Sequence, residues 1–245
     1  MFLTVLLVPQ AAISFEQNML NLKVPSTLEK HDGVFTVQHR FYGPIDEEPL
    51  DTFLGMDIGA NVGLDLRYAI WPKLEVHASR IRFQKEYTLG ASYALFFPSL
   101  FLRSQVGLEF FNFEKSPLTE RRRNVFYQLV LQSEPIGHAI TPVLNIGYDG
   151  YNERIGIGLG AYVGYEVDWG MLQHISLIGE YYPVLNEDEQ LTGAEDSFAM
   201  GVQLQTYGHR FCFMVSNSTD IGVRRLMLGT DTNSPHFGFG IQRLF

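Results

Sequence analysis

Residues 154–166 read RIGIGLGAYVGYE and alternate without an error between two kinds of side chain. The apolar positions are Ile155, Ile157, Leu159, Ala161, Val163 and Tyr165. The positions between them are Gly156, Gly158, Gly160, Tyr162, Gly164 and Glu166. A period of two places successive side chains on opposite faces of a strand, whereas a helix would mix the two sets. The stretch therefore predicts a β-strand with one apolar face and one face of small or polar residues.

The same alternation recurs along the rest of the chain. We expect about twelve strands, at residues 33–43, 58–70, 73–82, 86–95, 99–111, 123–132, 138–148, 154–166, 171–182, 197–207, 209–217 and 236–245. Segments of about ten residues are long enough for tilted strands to cross a bilayer. The pattern predicts an all-β fold: a single antiparallel up-and-down transmembrane β-barrel of about 12 strands, formed by residues 33–245.

The predicted connections between these strands alternate in length. Long connections are expected at residues 43–57, 112–122, 183–196 and 218–235, and tight turns lie between them. Outer-membrane barrels have short periplasmic turns and longer external loops, whereas a soluble sandwich has no reason to sort its loops in this way. Loop length therefore favours a membrane barrel.

The composition excludes several other classes of protein. Charged residues make up only 18% of the 245 residues, below the roughly 25% that is usual in soluble domains. A net charge of −9 argues against a nucleic-acid partner. The single cysteine, Cys212, excludes an internal disulfide. The seven histidines show no metal-ligand spacing, so no metal and no cofactor is expected.

The two ends of the chain carry targeting signals. Residues 1–14, MFLTVLLVPQAAIS, are apolar and end in small residues, which predicts a signal peptide; a buried N-terminal strand or helix is the alternative. Residues 15–32 are polar and mixed, and we expect a periplasmic lead-in or a small plug there. The alternating residues of the last strand, Phe237, Phe239 and Ile241, and the final Phe245 resemble the signal by which the outer-membrane assembly machinery recognises barrels for insertion.

Ionisable residues occupy the face that should line the lumen. They are Arg40, Asp65, Arg67, Glu75, His77, Glu86, Arg103, Glu109, Glu166 and Glu180. Twelve strands leave an interior between the filled eight-stranded barrel and the open sixteen-stranded porin. The charges can pair and close the lumen, or they can line a narrow polar pore. We therefore expect a narrow channel or a closed scaffold with a charged lumen, and both remain open.

Two other functions compete with this interpretation. An outer-membrane lipid hydrolase, of the phospholipase or lipid A deacylase type, needs a nucleophile and a base. His174 and Ser176 share a strand face, but pairs at this spacing are common by chance, and no residue is assigned a catalytic role. A soluble lipid-binding β-protein is the third hypothesis.

Aromatic and basic residues suggest contacts with lipid. Residues near the predicted strand ends could form an aromatic girdle: Tyr42, Trp71, Tyr87, Trp169, Tyr181 and Tyr182. Residues 121–123 and 224–225 are arginines in or beside long loops. In external loops they would face lipopolysaccharide phosphates, which arginine binds well, or they would simply be solvated. Membrane lipid and lipopolysaccharide are therefore candidate partners.

The entry to the first strand resembles a known family. Residues 24–43 read VPSTLEKHDGVFTVQHRFYG, with Thr27, Leu28 and Lys30 in a turn and residues 39–43 ending the strand as HRFYG. These residues, and FLGMD at residues 53–57, are similar to an uncharacterised family of predicted bacterial outer-membrane β-barrels. The resemblance implies a barrel in the outer membrane of a Gram-negative bacterium. It implies no activity and no catalytic residue.

Overall fold

The computed structural model describes residues 18–115, 120–137, 139–185 and 194–245, and the predicted signal peptide lies outside them. Twelve antiparallel strands close into one barrel, in which β1 pairs with both β2 and β12. The strands are β1 Gly33–Pro44, β2 Ala60–Trp71, β3 Leu74–Ile81, β4 Glu86–Phe97, β5 Leu102–Lys115, β6 Glu120–Ser133, β7 Ile140–Asp149, β8 Arg154–Trp169, β9 Leu172–Tyr182, β10 Ser197–Gln205, β11 His209–Ser216 and β12 His236–Leu244. The predicted fold is confirmed.

Helical structure in the described residues is confined to connections. Three single 3-10 turns lie at Met56–Ile58, Phe83–Lys85 and Pro98–Leu100, and the short helix α1 spans Val223–Leu226. No helix in these parts of the chain is long and apolar enough to cross a membrane.

Loop length distinguishes the two ends of the barrel. The strands joined by the longest connections, β1 with β2, β9 with β10 and β11 with β12, are joined at one end of the barrel. The other end carries short turns, together with Gly33 at the start of β1 and Phe245 after β12. By the usual asymmetry of outer-membrane barrels, the end with the long connections is external and the end with the short turns is periplasmic.

One predicted loop is wrong. Residues 112–115 and 120–122, expected in a connection at 112–122, continue β5 and β6 in register. Arg121 donates to Asn112 (Nη1 to Oδ1, 2.6 Å) and lies 3.5 Å from a Glu114 carboxylate oxygen. Cross-strand contacts of this kind stabilise a hairpin beyond the point where its apolar alternation stops.

The two faces of the wall differ as the alternation predicts. Leu66 is 44% exposed on the outer face, whereas the next residue, Arg67, is 3% exposed and points into the lumen. Trp71 and Trp169 are exposed at the periplasmic end, as expected of girdle residues. Tyr182 is the exception, because it is fully buried inside the barrel, and its assignment to the girdle is wrong.

The lumen is filled by two segments of the chain itself. The N-terminal plug, residues 18–28, enters from the periplasmic end and buries Leu20, Leu22 and Val24. At the external end, the mouth loop, residues 217–235, buries Leu226 and Met227. Both segments join one apolar cluster with the inner wall.

The glycines of β8 make room for both segments. A Cβ atom on Gly158 would lie 2.5 Å from Leu22 Cδ2, and one on Gly156 would lie 2.4 Å from Met227 Cβ. The small inner face of residues 154–166 therefore has a packing reason, since larger side chains there would collide with the plug and the mouth loop.

Candidate functional site in the barrel lumen

A single carboxylate of the inner wall holds the plug. Glu180 Oε1 accepts hydrogen bonds from the main-chain N–H groups of Leu20, Asn21 and Leu22 at 2.8–2.9 Å. Its Oε2 accepts from Asn21 Nδ2 and from the hydroxyl of Tyr182, both at 3.0 Å. Three consecutive N–H groups can converge on one oxygen only if the chain turns tightly around it, and Met19 N donates to Leu22 O at 2.8 Å to close that turn.

Asn21 connects this carboxylate to a buried cation. Its Oδ1 accepts from Arg40 Nη2 at 2.8 Å, while its Nδ2 donates to Glu180. Arg40 is 2% exposed and Glu180 is 4% exposed. Buried charges are stable only when they are paired or fully hydrogen-bonded, and here one amide side chain serves both ions. The plug thus supplies hydrogen-bond partners to two buried charges of the wall, Arg40 and Glu180.

A second polar group surrounds Lys23 of the plug. Its Nζ forms an ion pair with Glu109, whose carboxylate also lies 3.3 Å from His77 Nε2. The main chain of Lys23 is bonded in both directions by Asn145: its N–H donates to Oδ1 at 3.0 Å and its carbonyl accepts from Nδ2 at 2.9 Å. The Asn145 side chain therefore bonds both the N–H and the carbonyl of Lys23, as the main chain of a neighbouring β-strand would.

A third group joins β2, β3, β4 and β5. Arg67 donates from Nε to Asp65 at 2.9 Å, and its Nη1 lies 3.9 Å from Glu75 Oε1. The same Glu75 oxygen accepts from Ser92 Oγ at 2.9 Å and from Gln105 Nε2 at 3.3 Å. This group also contacts the plug, because Arg67 Nη2 donates to Asn18 Oδ1 at 2.9 Å and the main-chain N–H of Ser26 donates to Gln105 Oε1 at 2.7 Å.

The mouth loop is held by a separate charge cluster. Glu86 Oε2 accepts from Arg224 Nη2 at 2.5 Å and from Arg225 Nη2 at 2.6 Å, and Asp149 Oδ2 accepts from Arg224 Nη1 at 2.9 Å. Burial raises the pKa of the neighbouring Asp220 carboxyl above its usual range, and Arg225 at 4.0 Å opposes the shift. Both alternatives predicted for Arg224 and Arg225, contact with lipopolysaccharide and exposure to solvent, are wrong, because both side chains are buried in ion pairs.

A small polar cavity separates the plug from the mouth loop. Its volume is about 80 Å³, room for several water molecules. Its lining carries both signs of charge, in Lys23, Asp65, Arg67, Glu86, Glu109, Arg224 and Arg225. The cavity therefore joins the lumen charges to the arginines of the mouth loop.

Two of the predicted lumen residues lie apart from these groups. Arg103 lies near the periplasmic end of β5, with its guanidinium 5.9 Å from the ring centre of Phe96. Glu166 lies near the periplasmic end of β8, where it is exposed and in register with His174. Neither takes part in a described contact with the plug.

The sequence interpretation missed the plug residues, the wall amides and the wall carboxylate that complete these groups. They are Asn18, Asn21, Lys23, Gln105, Asn145 and Asp149. The apolar residues Leu20, Leu22 and Val24 were an available signal that this segment is buried. The sequence around Gln105 and Asn145 does not indicate their hydrogen-bond partners, which lie in distant parts of the chain.

The two residues considered for a lipid hydrolase, His174 and Ser176, do not face lipid. His174 and Ser176 are buried and lie on the inner face of β9. A hydrolase of membrane lipids would need them on the outer face or at an open rim. Among the described residues, no group of three or more His, Cys, Asp or Glu side chains could hold a metal ion.

Several solved outer-membrane structures are similar to this fold. LpxR from Salmonella typhimurium is 12% identical, covers 87% of this chain and 100% of its own, and has a TM-score of 0.47. Omp33 from Acinetobacter baumannii is 8% identical, covers 88% and 99%, and has a TM-score of 0.45. Outer-membrane phospholipase A from Escherichia coli is 15% identical, covers 96% and 98%, and has a TM-score of 0.43. At such identities the likeness concerns the fold alone.

A family profile gives the assignment. No curated protein matches the chain. The profile described as "membrane bound beta barrel domain (DUF5777)" matches residues 15–97 and 151–245, which together make up more than half of the chain. The hypothesis of a soluble lipid-binding protein is therefore wrong, and an even-stranded antiparallel barrel of this kind resides in the bacterial outer membrane. The chain belongs to the DUF5777 family of membrane-bound β-barrel domains.

Proposed function

We propose that the protein is a closed outer-membrane scaffold, whose own N-terminal plug and mouth loop block the lumen. The observation that carries this proposal is the seat of the plug on Glu180, whose carboxylate accepts three consecutive main-chain N–H groups. Main-chain groups withdrawn from water must find partners, and a segment that had merely collapsed into a pore would leave many of them unsatisfied.

The wall supplies such partners at several points along the plug. Besides Glu180 on β9, Asn145 on β7 binds the main chain of Lys23, and Gln105 on β5 accepts from the N–H of Ser26. All three wall residues are buried and face inward. Their spacing on alternate strands follows the path of the plug across the lumen, which supports a built site for this segment.

A narrow channel is the second candidate, and the polar cavity favours it. The cavity carries both signs of charge, as a selective pore would. It is bounded by Asn21 and Lys23 of the plug and by Val223 and Arg224 of the mouth loop. A solute could therefore pass only if both the plug and the mouth loop moved, and conduction would be gated.

Conductance in a planar bilayer tests the proposal. We expect the wild-type protein to insert and to remain silent. Glu180→Gln removes the charge and replaces one acceptor oxygen by an N–H donor, so the plug should detach. Because the mouth loop also blocks the lumen, discrete current steps should appear when Glu180→Gln is combined with Glu86→Gln, which removes the carboxylate that holds Arg224 and Arg225. Heat-modifiable migration on a denaturing gel checks that the variant barrel is folded.

The matched control combines Glu86→Gln with Glu166→Gln, which removes the same charge from the inner side of β8 without touching the plug. It should remain as silent as the wild type. Steady current steps in the wild-type protein that Glu180→Gln leaves unchanged would refute the closed scaffold and establish an open channel.

A further inference from the structure

A band of basic side chains lies on the outer face of β3 to β6, near the external end. This basic band consists of Arg80, Lys85, Arg121 and Arg123, with Glu114 as the carboxylate among them. The strand register places its members side by side: Arg80 is opposite Tyr87, Tyr87 is opposite Asn112, and Asn112 is opposite Arg123. Residues paired in this way project from the same face of a sheet.

Two cations of the band converge on one aromatic ring. Arg80 donates from Nε to the Tyr87 hydroxyl at 3.0 Å, with its guanidinium carbon 5.1 Å from the ring centre. The guanidinium carbon of Arg121 lies 5.6 Å from the centre of the same ring. Like charges repel, and a shared π-face offsets part of that repulsion. The ring thus holds two guanidinium groups close together at the surface.

Acidic side chains neutralise the band only in part. Glu114 lies 2.8 Å from Lys85 Nζ and 3.5 Å from Arg121 Nη2. The band as defined contains four cations and one carboxylate, in a protein with a net charge of −9. The excess of positive charge is therefore local, and the protein as a whole would repel anions.

The level of the band is set by the apolar rows below it. Two residues further toward the periplasmic end on each strand, Leu89 is opposite Phe110, which is opposite Val125. Leu89 is 63% exposed and Phe110 is 59% exposed, so this row faces lipid tails. Two residues along a strand correspond to about 7 Å. The basic band lies where the hydrocarbon ends and the headgroups of the outer leaflet begin.

We propose that the basic band binds the phosphate groups of the anionic glycolipid in the outer leaflet, the lipid A part of lipopolysaccharide. Guanidinium groups match phosphate oxygens in charge and geometry, and a lysine adds a point charge beside them. The glycolipid's acyl chains would cover the exposed Leu89 and Phe110. This role is independent of the state of the lumen, so it goes beyond the proposed function.

Binding of purified lipids to the folded protein in neutral detergent tests the assignment. Native mass spectrometry would compare three probes: lipid A with both phosphates, the same lipid after phosphate removal, and phosphatidylglycerol. We expect the wild-type protein to retain phosphorylated lipid A at least roughly tenfold better than the other two. Equal retention of the dephosphorylated lipid, or of phosphatidylglycerol, would overturn the proposal, and neither comparison depends on a variant that folds.

Two double variants localise the effect. Arg121→Gln with Arg123→Gln removes two charges from the basic band, and retention of lipid A should fall by roughly tenfold or more. Arg122→Gln with Arg243→Gln removes the same charge elsewhere, because Arg122 lies on the opposite face of β6 beside Glu120 and Arg243 lies at the periplasmic end. The control should bind as the wild type does. An equal loss in both variants would overturn the site and leave only a general effect of charge.

Discussion

The cluster at Glu86 determines whether the mouth loop stays in the barrel. Its carboxylate is buried and accepts from both Arg224 and Arg225, at 2.5 and 2.6 Å. Glu86→Gln keeps the shape of the side chain but removes the charge that neutralises two buried guanidinium groups. We expect the mouth loop to open far more often in this variant, while the barrel itself remains closed.

The loss of loop stability in Glu86→Gln depends on which contacts of Arg224 remain in the variant. Breaking a buried ion pair by removing one partner costs about 3–5 kcal/mol. Asp149 still pairs with Arg224 at 2.9 Å, and Phe111 still packs 4.0 Å from its guanidinium carbon. We therefore expect the free energy of loop opening to fall by about 2–4 kcal/mol, since Asp149 retains part of the interaction. At about 1.4 kcal/mol for each factor of ten, amide exchange should be roughly 30- to 700-fold faster.

Hydrogen exchange of single amides measures this opening. The informative N–H groups are those of Met227 and Gly229, which donate to Val223 O and Leu226 O in the closed loop. Glu120→Gln is the matched control, because its ion pair with Arg122 is about half exposed and should contribute under about 1 kcal/mol.

Two outcomes would refute this reasoning. Unchanged exchange at Met227 and Gly229 would mean that apolar packing alone holds the mouth loop. Equally accelerated exchange in the ladder between β7 and β8 would mean that the whole barrel opens and that the cluster is not a local latch.

Two further predictions concern the plug and the mouth loop. Gly158→Ala should displace the plug and expose residues 18–28 to limited proteolysis, because the new Cβ would lie 2.5 Å from Leu22 Cδ2; Gly107→Ala, whose nearest neighbour would be 3.6 Å away, should leave the digestion pattern unchanged. The pKa of Asp220 is raised by burial in the closed loop, so its contribution to loop stability is complete below the usual aspartate pKa and is lost as the pH rises through the raised value. Loop exchange, corrected for its intrinsic pH dependence, should slow as the pH falls from 7, and Asp220→Asn should flatten that dependence.

The strands were predictable because their signal is local. In residues 154–166 the apolar side chains alternate with small or polar ones, and this alternation predicts which face of the strand each residue is on. The pattern can be recognised without knowing which distant residues the strand contacts. The end of the β5–β6 hairpin was not predictable in this way. Contacts of Arg121 with Asn112 and Glu114 extend it, and such contacts exist only once the two strands are in register.

The sequence by itself determined the class of fold, the approximate number of strands and, in the strands with clear alternation such as residues 154–166, the face that meets lipid. Only the tertiary structure decided which charges meet inside the barrel. Lys23 and Glu109 are 86 residues apart, and Arg224 and Glu86 are 138 residues apart. The stagger and closure of the whole sheet, and the entry of two segments into its lumen, bring these side chains together. A local hydrophobic pattern predicts neither the closure of the sheet nor the entry of these segments. For this reason Arg224 and Arg225, which look like exposed loop residues in the sequence, are buried in ion pairs in the fold.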